Sequence, residues 1–314
     1  RLEKETAMEK DTKIRALIQK KIKEKNYVMD KIVPGFLLTM AMISVVTTFG
    51  IVFTLITDAY RFFSAVSFRE VLSTDLAPLN ANPRFGFLPL FVGTISTSII
   101  AMLVAVPVGL SAAIYLSQYA NAHVRKAVKP LLEVLAGIPT IVYGFFAYSF
   151  VTPFLMRLIP SLSAKNALSP GIVMGIMIIP MVASLSEDAM NAVPKIMKEG
   201  ALGLGSTKLE VAFKVVIPAA ISGILSSIVL GISRAIGETM IVTIASGSSK
   251  AFTLDVTKSM QTMTSYIVEF TSGDAASGTT GYYSLYAVGL LLFLFTMVMN
   301  QLAHYISKKY REAY

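Results

Sequence analysis

The sequence predicts an all-α polytopic membrane protein with six transmembrane helices and both termini in the cytoplasm. Three observations carry that prediction. Apolar residues make up 54% of the chain and charged residues 15%, whereas soluble domains carry about 25% charged residues. The mean hydropathy is +0.65, and the charges cluster between long neutral stretches, several of which reach the ~20 apolar residues that cross a bilayer. Finally, the lysines and arginines divide lopsidedly between alternate loops.

Cutting the chain at its charges gives spans at about 33–57, 88–118, 133–157, 168–186, 216–245 and 282–304 within a membrane domain covering 33–314. Pro107, Pro139 and Pro180 fall inside spans, where neighbouring helices can satisfy freed backbone groups, and they predict kinks or broken turns. Arg234 and Glu238 interrupt the fifth span. With the N-terminus inside, 20 Lys and Arg residues fall on the cytoplasmic side, seven outside, and Arg234 within a span. The net charge of +9 is mostly this topology signal, and the short scattered loops form no nucleic-acid-binding module.

Residues 1–32 form a cytoplasmic extension. Ile14, Leu17, Ile18 and Ile22 recur at helical spacing among lysines, which fits either a helix lying on the membrane face or a solvated charged tail. No signal peptide is expected, because the first apolar run follows a long charged stretch and is too long for a signal core. The chain has no Cys, so disulfides, thiolate metal sites and a Cys nucleophile are excluded. His123 and His304 lie far apart beside basic residues and read as interfacial side chains rather than metal ligands.

The loop between spans four and five is the most informative segment. Residues 194–202 and 208–216 have helical composition and flank the Gly-rich turn Gly203-Leu204-Gly205. Two short helices on the cytoplasmic side make a knob suited to docking in a partner's groove. Gly200 and Gly205 have P-loop spacing, but Ser206 stands where Lys is required and no strand precedes the turn. Gly203-x-Gly205 lacks the third glycine of a dinucleotide fingerprint. This chain is therefore not expected to bind or hydrolyse ATP.

The run Glu199-Gly200-Ala201, then Gly205, then Val215-Val216-Ile217-Pro218 resembles the EAA loop of ABC-importer permeases. Glu199, Ala201, Gly205 and Pro218 match that pattern outright, while Gly200 replaces an alanine. The resemblance implies a type I ABC-importer transmembrane domain whose loop 194–218 seats in an ATPase subunit, with these four residues in the coupling contact.

In the fifth span, Arg234 and Glu238 are four apart, so on a continuous helix they share a face and can pair. A charge at mid-membrane costs roughly 2.5–3.5 kcal/mol and usually faces a wet cavity or the bundle interior. Two readings follow: an ion pair that fixes packing, or an anion pathway in which Arg234 meets tetrahedral oxyanions and Glu238 holds it in place. Ala219, Gly223, Ser227 and Gly231 form a small-residue stripe for close helix approach, within the subunit or to a second one. Gly171 and Gly175 are a weaker cue of the same kind. Thr94, Ser96, Thr97 and Ser98 fit either a pathway lining or helix packing.

Ser233-Arg-Ala-Ile-Gly-Glu-Thr239 and Leu135-Ala-Gly-Ile-Pro-Thr-Ile-Val-Tyr-Gly-Phe-Phe146 resemble signatures of the phosphate-transport (Pst) permeases. The stretches 82–90, 261–268 and 287–293 resemble that group as well, and the long outer loop 58–84 favours the PstC-like subunit over its PstA-like companion. The resemblance implies a non-catalytic permease subunit of an ATP-driven phosphate importer in the inner (plasma) membrane. Its implied partners are a second homologous permease subunit, two ATP-binding subunits and an extracytoplasmic phosphate-binding protein, besides phosphate and membrane lipid. A permease for sulfate or molybdate is the nearest alternative. An ion-coupled secondary transporter with Glu238 as proton carrier is the distant one, and the inverted repeats it calls for are not visible.

Overall fold

The computed structural model describes residues 2–274 and 276–309. The chain comprises two compact units, Arg1–Thr57 and Asp58–Tyr314. From Leu2 on, the first unit is helical and belongs to α1 (Leu2–Ala65), which carries Pro34 without interruption. Most of its apolar side chains from Ile32 onward, Phe36, Leu38, Phe49 and Phe53 among them, are exposed. Its hydroxyls do not need water: Thr39, Thr47 and Thr48 each donate to the carbonyl one turn back, at 2.8–2.9 Å. That pattern suits a helix surrounded by lipid. In the extension, Ile14, Leu17 and Ile18 are exposed, and Ile22 lies outside the described side chains.

The second unit begins with the end of α1 and continues through α2 (Phe68–Val71) to a two-residue hairpin, β1 (Leu76–Ala77) and β2 (Arg84–Phe85), in which Leu76 pairs with Phe85. Next come α3 (Leu88–Ile114), extended by a π turn at Tyr115–Tyr119, and α4 (Ala122–Gly137). The expected third span is not one helix. It breaks at Ile138 and Pro139 and resumes as α5 (Thr140–Phe146), a π turn at Ala147–Val151, and α6 (Thr152–Leu158). Proline cannot donate to the preceding turn and disfavours helix at the residue before it, so Ile138 is extended at ψ 129°.

The helix α7 (Leu168–Asn191) leads to α8 (Lys195–Gly203), α9 (Lys208–Val211), a π turn at Ala212–Val216, and α10 (Ile217–Ile236). The fifth span also breaks earlier than expected: α10 stops at Ile236, Gly237 caps it, and α11 (Met240–Ala245) follows as a separate helix. A loop, α12 (Met263–Glu269) with a terminal π segment Phe270–Asp274, and α13 (Thr280–Lys309) complete the chain. Among the described residues, six helical stretches are long and apolar enough to cross a membrane: Ile32–Ala65, Leu88–Tyr119, Thr140–Leu158, Leu168–Asn191, Lys208–Ile236 and Thr280–Lys309.

The centre of the second unit is α3 against α7 against α10. Close approach is set by small residues: a Cβ added at Gly175 would lie 2.7 Å from both the Ala101 carbonyl oxygen and Val104 Cβ. A Cβ at Gly171 would press on Ile100, and at Gly231 on Met102 and Ile178. Ser227 Oγ meets Ser186 Oγ at 2.7 Å. The stripe that includes Gly223, Ser227 and Gly231 is thus a contact within this subunit. Thr94 is likewise a packing residue, its hydroxyl accepting from the Met263 amide at 3.0 Å and donating to the Leu90 carbonyl.

Three apolar clusters follow one another along α3. Leu90 joins Phe62, Phe87, Met263 and Tyr266. Ala101 and Ala105 join Met174, Ile178 and Ile241. Ala113 joins Met190, Val211, Val216 and Ile224, which seats the α8–α9 region on the bundle.

Candidate functional site

The α8–α9 knob is built by local rules. Helix α8 ends where Gly205 adopts φ +88°, a conformation that favours glycine. The Gly205 amide then donates to the Leu202 carbonyl at 3.0 Å and the Ser206 amide to the Ala201 carbonyl at 3.1 Å, satisfying the last carbonyls of the helix. Helix α9 starts at once with a reciprocal cap. The Thr207 hydroxyl accepts from the Glu210 amide, and the Glu210 carboxylate accepts from the Thr207 amide at 3.0 Å. Pro218 sits in the first turn of α10, where its missing N–H costs least.

The knob is anchored on one face and bare on the other. Met197 and Ala201 pack on the cluster below, and the Lys198 ammonium donates to the Met190 carbonyl at 3.1 Å. Burial, then the neighbouring Arg125 and Lys195 charges, hold that ammonium below the ordinary lysine range. On the other side Glu199 is exposed, as are Ile196, Leu209, Phe213 and Leu204, the last at 90%. Apolar side chains gathered at an exposed turn mark an interaction surface.

The second candidate region is the end of α10. Arg234 and Glu238 do not pair, which corrects the expectation from their spacing. The four-residue rule assumes an unbroken helix, and here the backbone turns at Gly237. Glu238 is instead 8% exposed. Its Oε1 accepts from the amides of Met240 at 3.0 Å and Ile241 at 3.3 Å, opening α11, while its carbonyl accepts from Thr264 at 2.7 Å. Arg234 is exposed, and its guanidinium donates to Met177 Sδ at 3.9 Å. Among the described residues no carboxylate forms an ion pair with it.

Sequence reasoning missed a charged cluster where α4 meets α7. Glu187, 1% exposed, receives Arg125 Nε at 3.2 Å and Lys129 Nζ at 2.8 Å. Lys129 also reaches Asp188 at 2.7 Å, and Asn191 donates to Glu187 at 2.7 Å. Asp188, then Glu187, hold the Lys129 ammonium above its ordinary range. The available signal was the adjacent acidic pair Glu187-Asp188 ending one span, opposite the basic run 125–129. No group of His, Cys, Asp and Glu suited to a metal ion occurs among the described residues.

A multi-pass helical bundle with an exposed helical knob and a break in its fifth span is the architecture of a membrane-embedded subunit. The comparisons narrow that class: residues 105–312 match the family described as "Binding-protein-dependent transport system inner membrane component", and the chain belongs to it. It is a multi-pass inner-membrane protein. It is similar to the "Phosphate transport system permease protein PstC" of Mesorhizobium japonicum, 32% identical with 85% of this chain and 86% of that one covered. It is also similar to the "Probable ABC transporter permease protein YqgH" of Bacillus subtilis, 31% identical over 76% of each. Among solved structures, a bacterial alginate ABC transporter in complex with its pentasaccharide-bound periplasmic protein shares the fold, with TM-score 0.63, 13% identity and coverage of 93% and 98%.

Proposed function

We propose that this chain is a permease subunit of an ATP-driven phosphate importer. The observation that carries the reading is the match, over 85% of this chain, to a relative named as a phosphate transport permease. The unpaired guanidinium of Arg234 supports it physically. An arginine that no carboxylate neutralises is costly in a span, and the cost is offset where a tetrahedral oxyanion passes and takes its bidentate donors.

In this reading the α8–α9 end faces the cytoplasm and Glu199, Ala201, Gly205 and Pro218 belong to the contact with an ATP-binding subunit. ATP hydrolysis is the partner's chemistry, and two such subunits serve this chain and a second homologous permease subunit. An extracytoplasmic phosphate-binding protein delivers the substrate to the opposite face. Arg234 is a transient contact on the path. Glu238 acts by holding the turn that ends α10, and so sets where Arg234 points.

The substrate is tested by competition. ATP-dependent uptake of labelled phosphate into vesicles carrying the complex should resist excess sulfate and molybdate and yield to unlabelled phosphate. Uptake of sulfate in preference to phosphate would overturn the assignment.

A further inference from the structure

Arg234 opens onto a cavity of about 300 Å³. One face of α4 lines it with Lys129, Glu133 and Ala136, and one face of α7 with Met177 and Ser184. Arg234 touches Met177, whereas Lys129 is tied to Glu187 and Asp188 further along α7. The two cations therefore sit toward opposite ends of a strip of α7 from Met177 to Glu187, about 15 Å long at 1.5 Å per residue. Lys129 lies at the end nearer α8 and α9.

Its lining separates this cavity from the larger groove of about 550 Å³ between α3, α10 and α13. There Ser98 is the one polar side chain among residues such as Ile99, Leu103 and Phe295. Such a groove suits lipid or another apolar surface. Leu132, Met181 and Leu185 also line the smaller cavity, but the guanidinium, ammonium and carboxylate it gathers beside membrane spans demand water or a counter-ion.

We propose that this cavity is the inner segment of the anion path, with Lys129 as a second cationic station for the oxyanion after Arg234. The inference deepens the phosphate reading and rests on it. Lys129 has two carboxylates within 2.8 Å, so between passages its charge is held by Glu187 and Asp188. An arriving tetrahedral anion takes over one or more of its three N–H donors. Glu133 offsets part of the positive charge, which keeps the anion from lodging there.

The test uses the complete complex and the absence of Cys from this chain. Ala136→Cys places a thiol on the cavity wall while leaving Arg234, Lys129 and Glu133 in place. During ATP-driven turnover, a negatively charged thiol reagent should modify Cys at this position, and inorganic phosphate should slow the modification. In parallel, Lys129→Ala should lower phosphate uptake about tenfold or more, the scale of a lost charge-assisted contact, while Lys129→Arg retains most of it. In a complex that imports phosphate, modification indifferent to phosphate, or no modification, overturns the route. Undiminished uptake by an assembled Lys129→Ala complex overturns the role of Lys129. If that variant fails to assemble, the thiol measurement decides, since it keeps Lys129. A complex that imports no phosphate at all overturns the substrate reading first, a distinct outcome.

Discussion

Glu238 is the residue whose role changed most between sequence and structure. Its spacing from Arg234 implied a pair on one helix face, yet its carboxylate accepts the first amides of α11. Replacing that acceptor resembles losing a helix cap, worth about 0.5–2 kcal/mol. Glu238→Ala should therefore lower the thermal stability of the solubilised complex, whereas Glu238→Gln, which keeps an acceptor oxygen, should stay close to the parent. Equal destabilisation by both would contradict the capping role. The break was partly legible: Gly237 follows an apolar helical run, where a C-terminal glycine is expected. The i, i+4 spacing of opposite charges points to a continuous helix and the glycine between them to a stop, and in the fold the glycine prevails.

Among the elements, the α8–turn–α9 unit gives the sharpest contrast between two glycines. Gly205 has φ +88°, so Gly205→Ala forces a side chain into a left-handed backbone at about 1–2 kcal/mol and re-aims α8. Gly200 lies inside α8 with open space around it, and Gly200→Ala gains helix propensity of up to about 1 kcal/mol. Binding of the ATP-binding subunit to the complex, measured by co-purification, should survive Gly200→Ala and weaken with Gly205→Ala. Weakening by Gly200→Ala alone would contradict this account. In α7, Gly175→Ala should destabilise the subunit by about 1–3 kcal/mol through overpacking on α3, read as a lower unfolding temperature.

Short helices and their joints were the least legible elements. The caps and spacing around Gly205 could be read directly, because turn chemistry is local. The end of α4, residues 133–137, falls inside the expected third span of 133–157, although Asn121 caps this separate helix through the Val124 amide and Pro139 ends it. Helix α12 is too short to show periodicity. It is held by long-range bonds, such as Met263 to Thr94, which no local pattern reveals.

At the scale of the molecule, hydropathy and charge bias were enough for six spans, because length and apolar content are nearly all that a bilayer requires of a helix. How the spans pack was only partly readable: the glycine and serine stripes marked close contacts, but α7 as their common partner emerged from the fold. The charged cluster at Glu187 depends on two segments distant in sequence meeting, Arg125 and Lys129 on α4 and the acidic pair on α7, so it lay beyond any sequence window.

In the proposed importer, Arg234 serves an anion path rather than helix packing. ATP-dependent phosphate uptake by the reconstituted complex, compared between the parent, Arg234→Lys and Arg234→Ala, tests it most directly. Arg234→Ala should purify with all its partners yet lose uptake, and Arg234→Lys, which keeps the charge but not the bidentate fork, should fall between. Undiminished uptake by Arg234→Ala, or loss of uptake only through loss of assembly, would contradict it.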